Sequence, residues 1–353
     1  MKRKRFFIVS FCVALLAVGI LVTTLRHKPQ VLYRATVLPS LGGDFSLPCA
    51  INDRGQIAGF SEVAKGTYHL FLWDREKGIQ DLGPVVNQHV YINNAAQIAA
   101  TVLDPNGHER ALIWDPNRGR CVLPTLGGES ATAHGINNHG QVIGAAETAS
   151  GILHACVWDG ASEIRDLTPS SKQRTRAWSI NDTGQVVVFA RGAKLLVDAN
   201  KGVTSTSPRI PVLGLIQTNN AGYIAGLIKV GQRNFNVVIW NPDSGLRRLF
   251  QLNTDSAGSP KMNDVNQVVF SERRQAKVKL FGRTFFSTHA KNYLRDPKRG
   301  RLSLDGYVSV DRYEDLWLTD LNNKGCIVGA VQSTRDSRSR GVILEPIPEQ
   351  WDK

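Results

Sequence analysis

The segment Ile51-Asn52-Asp53-Arg54-Gly55-Gln56-Ile57 sets the strongest constraint on the fold, because the chain repeats it seven times. Internal repeats at a period of a few tens of residues mean one supersecondary unit copied and stacked. The later copies are Ile92-Asn93-Asn94-Ala95-Ala96-Gln97-Ile98, Ile136-Asn137-Asn138-His139-Gly140-Gln141-Val142 and Ile180-Asn181-Asp182-Thr183-Gly184-Gln185-Val186. Then come Thr218-Asn219-Asn220-Ala221-Gly222-Tyr223-Ile224, Met262-Asn263-Asp264-Val265-Asn266-Gln267-Val268 and Leu321-Asn322-Asn323-Lys324-Gly325-Cys326-Ile327. Successive leading Asn residues lie 41, 44, 44, 38, 44 and 59 positions apart.

The unit reads as a hairpin. An apolar residue ends a strand, and the Asn side chain bonds to backbone two residues on, starting a turn. Gly at the fourth position supplies the left-handed conformation such turns need. Asn266 stands there in the sixth copy and tolerates that conformation. Ala96 does not suit it, so the second turn is expected to be distorted. Apolar residues follow, as in a buried strand. The structural turn positions are thus Asn52, Gly55, Asn93, Asn137, Gly140, Asn181, Gly184, Asn219, Gly222, Asn263, Asn322 and Gly325.

A second landmark follows most copies: Phe71-Leu72-Trp73-Asp74, Leu112-Ile113-Trp114-Asp115, Cys156-Val157-Trp158-Asp159 and Val238-Ile239-Trp240-Asn241. Leu196-Val197-Asp198 and Tyr293-Leu294-Arg295-Asp296 are weaker versions. Each is a strand closing on a large residue, then a turn starter, with Gly soon after. A short fourth strand comes next, as in Ile79-Gln80-Asp81-Leu82. Four short strands in each unit of about 40 to 45 residues is the period of a β-propeller blade. One such sheet cannot bury both faces, whereas seven stacked radially can. The expected fold is all-β, a seven-bladed β-propeller of four-stranded blades. The last copy lacks a fourth strand, and Val31–Leu38 precedes the first copy as a spare one. Residues 31–38 are therefore expected to close the ring over 31–346, leaving 347–353 as a tail.

Phe6 to Leu25 is a run of twenty residues without charge. As a helix it reaches about 30 Å, the thickness of a bilayer core. Lys2, Arg3, Lys4 and Arg5 precede it and hold the N-terminus in the cytoplasm by the positive-inside rule. No small-residue cleavage site follows. The expectation is a cytoplasmic basic stub at 1–5, a transmembrane signal anchor at 6–25 preceding the propeller, and a linker at 26–30. The domain would then sit in the periplasm or at the cell surface.

That segment also accounts for part of the formal charge of +13. Removing Lys2, Arg3, Lys4, Arg5, Arg26 and Lys28 leaves +7 on the rest. The remainder is compatible with an anionic glycan, a lipid headgroup or a protein partner, and gives little reason to expect nucleic acid. Cys49, Cys121, Cys156 and Cys326 are widely separated, show no metal-ligand spacing and read as buried thiols.

These units resemble the HAF repeat family, named for a His-Ala-Phe tripeptide ahead of the strand-ending Trp. His69-Leu70-Phe71 precedes Trp73, and His154-Ala155-Cys156 precedes Trp158. Leu41-Gly42-Gly43 and Leu126-Gly127-Gly128 look like that family's linker. The resemblance covers residues 31–345, with copies four, six and seven degraded. It implies an extracellular or cell-surface β-repeat protein with no assigned activity. The chain is more distantly similar to tryptophan–aspartate repeat propellers at its Trp-Asp pairs, but lacks their upstream Gly-His.

No nucleophile elbow, phosphate loop or zinc spacing is present, and no carboxylates stand out as an acid/base couple. The expectation is a chain that is not an enzyme and uses no cofactor or metal. The Asn/Asp turns lack the recurring downstream carboxylate of a calcium loop. His69 and His154 lie in different blades and suit structural hydrogen bonds. His89 and His134 lie just before the first strands of their blades, where they would face a central channel. The wide sixth copy carries Arg273, Arg274, Lys277, Lys279 and Arg283 among Phe281, Phe285 and Phe286. Insertions into repeats fall on loops, so these basic residues form the candidate binding surface. The functional expectation is a membrane-anchored binding or interaction module. The alternatives are an extracytoplasmic carbohydrate-active enzyme and a purely structural envelope protein.

Overall fold

The computed structural model describes residues 33–86, 89–190, 192–203, 209–232, 234–254, 256–280, 283–304, 313–333 and 338–348. The expected anchor at 6–25, with its flanks, lies outside the described residues. No helix among the described residues is long and apolar enough to cross a membrane.

Seven antiparallel sheets follow one another along the chain, one per repeat. Blade 1 is typical: Ser46–Ile51, Ile57–Ala64, Thr67–Asp74 and Gly78–Pro84 pair in sequence order. The repeated turn joins the first strand to the second, and the Trp-Asp turn joins the third to the fourth. Blade 7 takes Tyr313–Leu321, Ile327–Ser333 and Ser339–Pro346 from the C-terminal end. Tyr33–Val37 supplies its fourth strand, running antiparallel to Ser339–Pro346 with Ala35 opposite Leu344. The ring is therefore closed by main-chain hydrogen bonds between the two ends of the domain.

Two blades depart from four strands. Blade 4 forms a sheet of three, Arg176–Ile180, Gln185–Ala190 and Ala193–Asp198. Beyond its third strand, Arg209 makes only an isolated bridge to Leu195. Blade 6 has five strands because its innermost strand is broken. Ser256–Ala257 and Lys261–Met262 pair separately with Val268–Leu280, on either side of Pro260. Proline has no N–H to give to a ladder. The extra residues of this copy, expected in a loop, instead lengthen a hairpin. Val268–Leu280 and Arg283–Asp296 pair along their whole length, from Val268 opposite Arg295 to Leu280 opposite Arg283.

The core is divided in the same way. Seven clusters of buried apolar side chains each fill the gap between two neighbouring blades. The strand-ending tryptophans pack into the gap with the preceding blade. Trp73 belongs to one cluster with Val328 and Ile343 of blade 7, and Trp114 to one with Leu70 and Leu82 of blade 1. Burying a large side chain there stabilises the fold by about 1.5–3 kcal/mol. It stabilises blade against blade, so no blade is complete alone.

The second repeat turn is not distorted. Ala96 takes φ of 61°, and its N–H donates to Asn93 O at 3.0 Å. Gly55 makes the same bond to Asn52 O, also at 3.0 Å. Ala adopts the left-handed conformation here because the bonds around it over-determine the turn, and the strain stays local.

Candidate functional site

The repeated Asn does more than start a turn. Asn137 accepts the backbone N–H groups of His139 and Gln141 at 3.1 and 3.0 Å. Its Nδ2 donates to Gln141 Oε1 at 2.9 Å and to Asn181 O of the next blade at 3.2 Å. The cross-blade bond recurs at every junction, from Asn52 to Asn93 O and finally from Asn322 back to Asn52 O, so that the seven repeated asparagines form a closed belt. A second ring lies beside it. The backbone N–H of each residue after the belt Asn donates to the side chain of its counterpart in the next blade. It runs from Asp53 through Asn94, Asn138, Asp182, Asn220 and Asp264 to Asn323, and back to Asp53. Both rings circle one end of the central channel. The single-sequence signal for them was the invariance of a buried Asn; local turn chemistry requires only its oxygen.

The Asn/Asp ring is saturated by its own members. Asp182 Oδ1 accepts the Asn138 N–H, and Oδ2 accepts the Asn138 and Asn220 amides at 2.9 and 2.7 Å. Asp53 and Asp264 are bonded in the same way. Among the described residues no group of three or more His, Cys, Asp or Glu side chains could hold a metal ion.

Inside the ring the channel widens to a cavity of about 580 Å³. The innermost strands line it, and the residue two before each belt Asn is a lining position. That position reads Ala50, Tyr91, Gly135, Ser179, Gln217, Lys261 and Asp320 around the seven blades. The belt position is Asn in every blade; this one differs in every blade. Three members bond to the following blade: Ser179 Oγ accepts Thr218 N–H, Gln217 Oε1 accepts Met262 N–H, and Asp320 Oδ2 accepts Ile51 N–H. Burial pushes the Asp320 carboxyl up to about 6, against the pull of Lys261 and of its hydrogen bonds from Ile51, Leu321 and Gln217.

Blades 2 to 4 supply an aromatic wall. The His134 and Trp178 rings lie 5.0 Å apart, His89 sits 5.8 and 5.9 Å from them, and Phe189 backs Trp178 at 5.7 Å. His134 falls within the first strand of its blade, Gly127–Ile136, rather than before it. Its Nδ1–H donates to Ala177 O at 2.9 Å, which fixes the tautomer and leaves the lone pair on Nε2. Burial pushes its pKa down to about 4, more than the Ala177 bond raises it. His89 is lowered by burial too, with Lys261 adding to the effect. These three rings also line a second cavity of about 430 Å³ with Glu109, Glu147, Arg174 and Arg176. Glu147 is occupied structurally: its Oε2 caps the N–H groups of Glu129 and Ser130. Glu62 caps Asp44 in blade 1 in the same manner.

Other residues singled out from sequence lie elsewhere. His69 Nδ1–H donates to Asp81, and His154 bonds Asp166 and Ser171 O, each pair within or beside its own blade. The structure does not bring the two together. Cys49, Cys121, Cys156 and Cys326 are free thiols. Burial pushes Cys49 up to about 12, so this lumen thiol is no nucleophile at neutral pH. Arg273, Arg274, Lys277 and Lys279 fall on Val268–Leu280, and Arg283 begins the partner strand. Their side chains lie outside the described residues.

No protein-family model and no curated protein matches the sequence. Solved structures do. The chain is similar to an oligogalacturonate lyase in complex with manganese, with TM-score 0.57 and 10% identity over 90% of this chain and 94% of that one. It is similar to the β-propeller domain of the Trilobed protease from Pyrococcus furiosus, with TM-score 0.56 and 8% identity over 89% and 95%. A puromycin hydrolase gives TM-score 0.54 and 14% identity over 92% of this chain but 55% of that one. The chain also spans 63% of the length of TolB from Acinetobacter baumannii, with TM-score 0.45 and 15% identity. At these identities the likeness shows a shared propeller fold.

Proposed function

We propose that this protein is a binding module that takes a small ligand into its central channel and is held at an extracytoplasmic membrane face by residues 6–25. One observation carries the first part. The residues that build the ring repeat from blade to blade, whereas the lining of the 580 Å³ lumen does not. A residue type needed seven times for folding appears seven times. Lys261 appears once and its amine bonds to no described residue, at a place where Ala50 and Gly135 serve the fold as well; Gln217 and Asp320 beside it also hold a backbone N–H of the next blade. A concave site with a few convergent polar groups is the common form of a small-molecule site. The uncharged run and its basic flank support the anchor, and the resemblance to extracellular HAF repeats supports its orientation.

The test is a thermal-shift screen of the full-length protein in detergent micelles, run beside two variants. One is Trp178→Leu in the lumen; the other is the triple Arg273→Ala, Arg274→Ala, Lys277→Ala on the hairpin. A saturable ligand lost in the first and kept in the second places binding in the channel. The reverse moves it to the hairpin, and no saturable ligand in any sample leaves a structural role. Protease protection of the domain in sealed cytoplasmic-side-out vesicles tests the orientation.

A second reading has its own support. Glu109 and His89 line the same 430 Å³ cavity with Arg174 and Arg176, a set suited to proton transfer on an extracytoplasmic carbohydrate. Turnover by the wild type that Glu109→Gln abolishes, with binding kept, would favour it.

A further inference from the structure

We propose that the channel selects a small ring compound bearing a carboxylate, with the anion on Lys261 and the ring against the His89–Trp178 wall. This rests on the reading that the lumen is the binding site.

Lys261 reaches the lumen for a local reason. Pro260 breaks the innermost strand of blade 6, and the two-residue strand Lys261–Met262 resumes beyond it. Lys261 therefore stands two residues before the belt Asn263 and lines the cavity. It is half-buried, and no hydrogen bond or ion pair joins its amine to a described residue. Lys194 shows what a satisfied lysine looks like in this fold: its Nζ donates to Val212 O and Gly214 O at 2.9 Å each and lies over the Phe189 ring. The nearest acid in the lumen, Asp320, is committed to the Ile51 N–H at 3.1 Å and to Gln217. Burial raises its pKa to about 6, so it is ionised at pH 7 and loses its charge only as the pH falls through that value; it acts on Lys261 at Coulombic range, without a hydrogen bond to the amine. A half-buried cation whose amine makes no hydrogen bond to a described residue favours an anionic ligand, because binding supplies the charge-assisted hydrogen bond that Asp320, at Coulombic range, does not.

The two walls set the rest of the ligand. Blades 5 to 7 contribute Gln217 and Lys261 beside Asp320; blades 2 to 4 contribute His89, His134 and Trp178. Trp178 is half-buried, with Phe189 packed against it. A ring placed between the walls stacks on an aromatic face while its carboxylate meets the amine opposite. The cavity volume of about 580 Å³ suits one such compound. Discrimination against the neutral analogue follows from the same chemistry, since a neutral ring would partly cover the half-buried Lys261 amine without giving it an acceptor of its own.

Calorimetric titration of the full-length protein in micelles with two matched pairs tests this: glucuronate against glucose, and benzoate against benzyl alcohol. At least one acid should bind about tenfold or more tighter than its neutral partner. The pair that responds says whether the ring is a sugar or an arene. Lys261→Met should bring the ratio to about one, Lys261→Arg should keep it, and Trp178→Leu should weaken acid and neutral compound alike. Melting temperatures near that of the wild type show that the variants fold. A neutral compound binding as tightly as its acid, or a ratio unchanged in Lys261→Met, overturns the carboxylate assignment. The channel reading survives that outcome if Trp178→Leu still weakens binding. Binding indifferent to both lumen substitutions, or none by any of the four up to about 10 mM, removes both.

Discussion

Replacing one belt asparagine should show how strongly the ring is held at its hub. Asn137 is 3% exposed and makes four hydrogen bonds. In Asn137→Ala the His139 N–H can find water, because that residue is exposed. The Gln141 N–H, the Gln141 Oε1 and the Asn181 carbonyl are less accessible. Gln141 cannot simply turn its amide round, since its Nε2 is bonded to Asp159 Oδ1 at 2.6 Å. Stranding a buried polar group costs about 1–3 kcal/mol, so three partly relieved groups give about 3–5 kcal/mol. Asn137→Asp is sharper still. It keeps the oxygen that serves the turn but sets a carboxylate against two acceptors, Gln141 Oε1 and Asn181 O. At pH 7 it should destabilise at least as much as alanine, and the gap should narrow in acid as the carboxyl protonates. The assay is equilibrium urea unfolding followed by circular dichroism, with free energies compared where the m-values agree. An Asn137→Asp variant within about 1 kcal/mol of the wild type would refute the cross-blade bond.

Three further outcomes are expected. Ala96→Gly should stabilise by about 0.5 kcal/mol, because it relieves an alanine at φ 61°, while Gly140→Ala at φ 79° should destabilise by about 1–2 kcal/mol in the same unfolding assay. Asp320 and His134 oppose one another in acid. Asp320 is raised from 3.8 to about 6, so its contribution falls as pH rises through that window; His134 is lowered from 6.5 to about 4, so its contribution grows. Asp320→Asn removes the first, and its stability relative to the wild type should rise between pH 4.5 and 6.5 by about 2 kcal/mol; parallel wild-type and variant profiles would sink this assignment. Deleting residues 31–38 removes the strand paired with Ser339–Pro346 and the buried Tyr33 and Leu38, and should lower the melting temperature sharply. An unshifted melt would mean the closing strand adds nothing.

Much of this fold can be read from the chain because a propeller is a local motif written repeatedly. Turn residues and strand ends are decided within a few positions, so Asn52, Gly55 and Trp73 announce blade 1 without reference to any other. What depends on the neighbouring blade is not written locally. Nothing in Ile136-Asn137-Asn138 says that the Asn137 amide will meet Asn181 O, because that contact exists only once the blades are set at their ring angle. The same limit misjudged Ala96. Intrinsic preference predicted a distorted turn, but the amide of Asn93 is held by Gln97 and by Asn137 O, and this leaves the backbone no other path. In the sixth copy the added length suggests a loop when the repeat is taken alone, whereas continued pairing satisfies its backbone groups as a longer hairpin.

The candidate site was hidden for the opposite reason. Its residues carry no motif, because each of Trp178, Gln217, Lys261 and Asp320 occurs at its place only once. The repeat provides an internal control that one sequence rarely has. Aligning the seven copies on the belt Asn separates positions the ring needs, identical in every blade, from positions the ring merely tolerates. Next to the belt the side chains are Asn or Asp in all seven blades, and every one is bonded to its neighbour. Two residues before the belt they range from Gly135 to Lys261, and the lysine amine makes no hydrogen bond or ion pair with a described residue there, Asp320 acting on it only at Coulombic range. A half-buried amine costs stability unless something pairs with it. Since Ala50 and Gly135 show that the position can be filled by a small apolar residue, the lysine is best explained by what enters the channel rather than by what closes it.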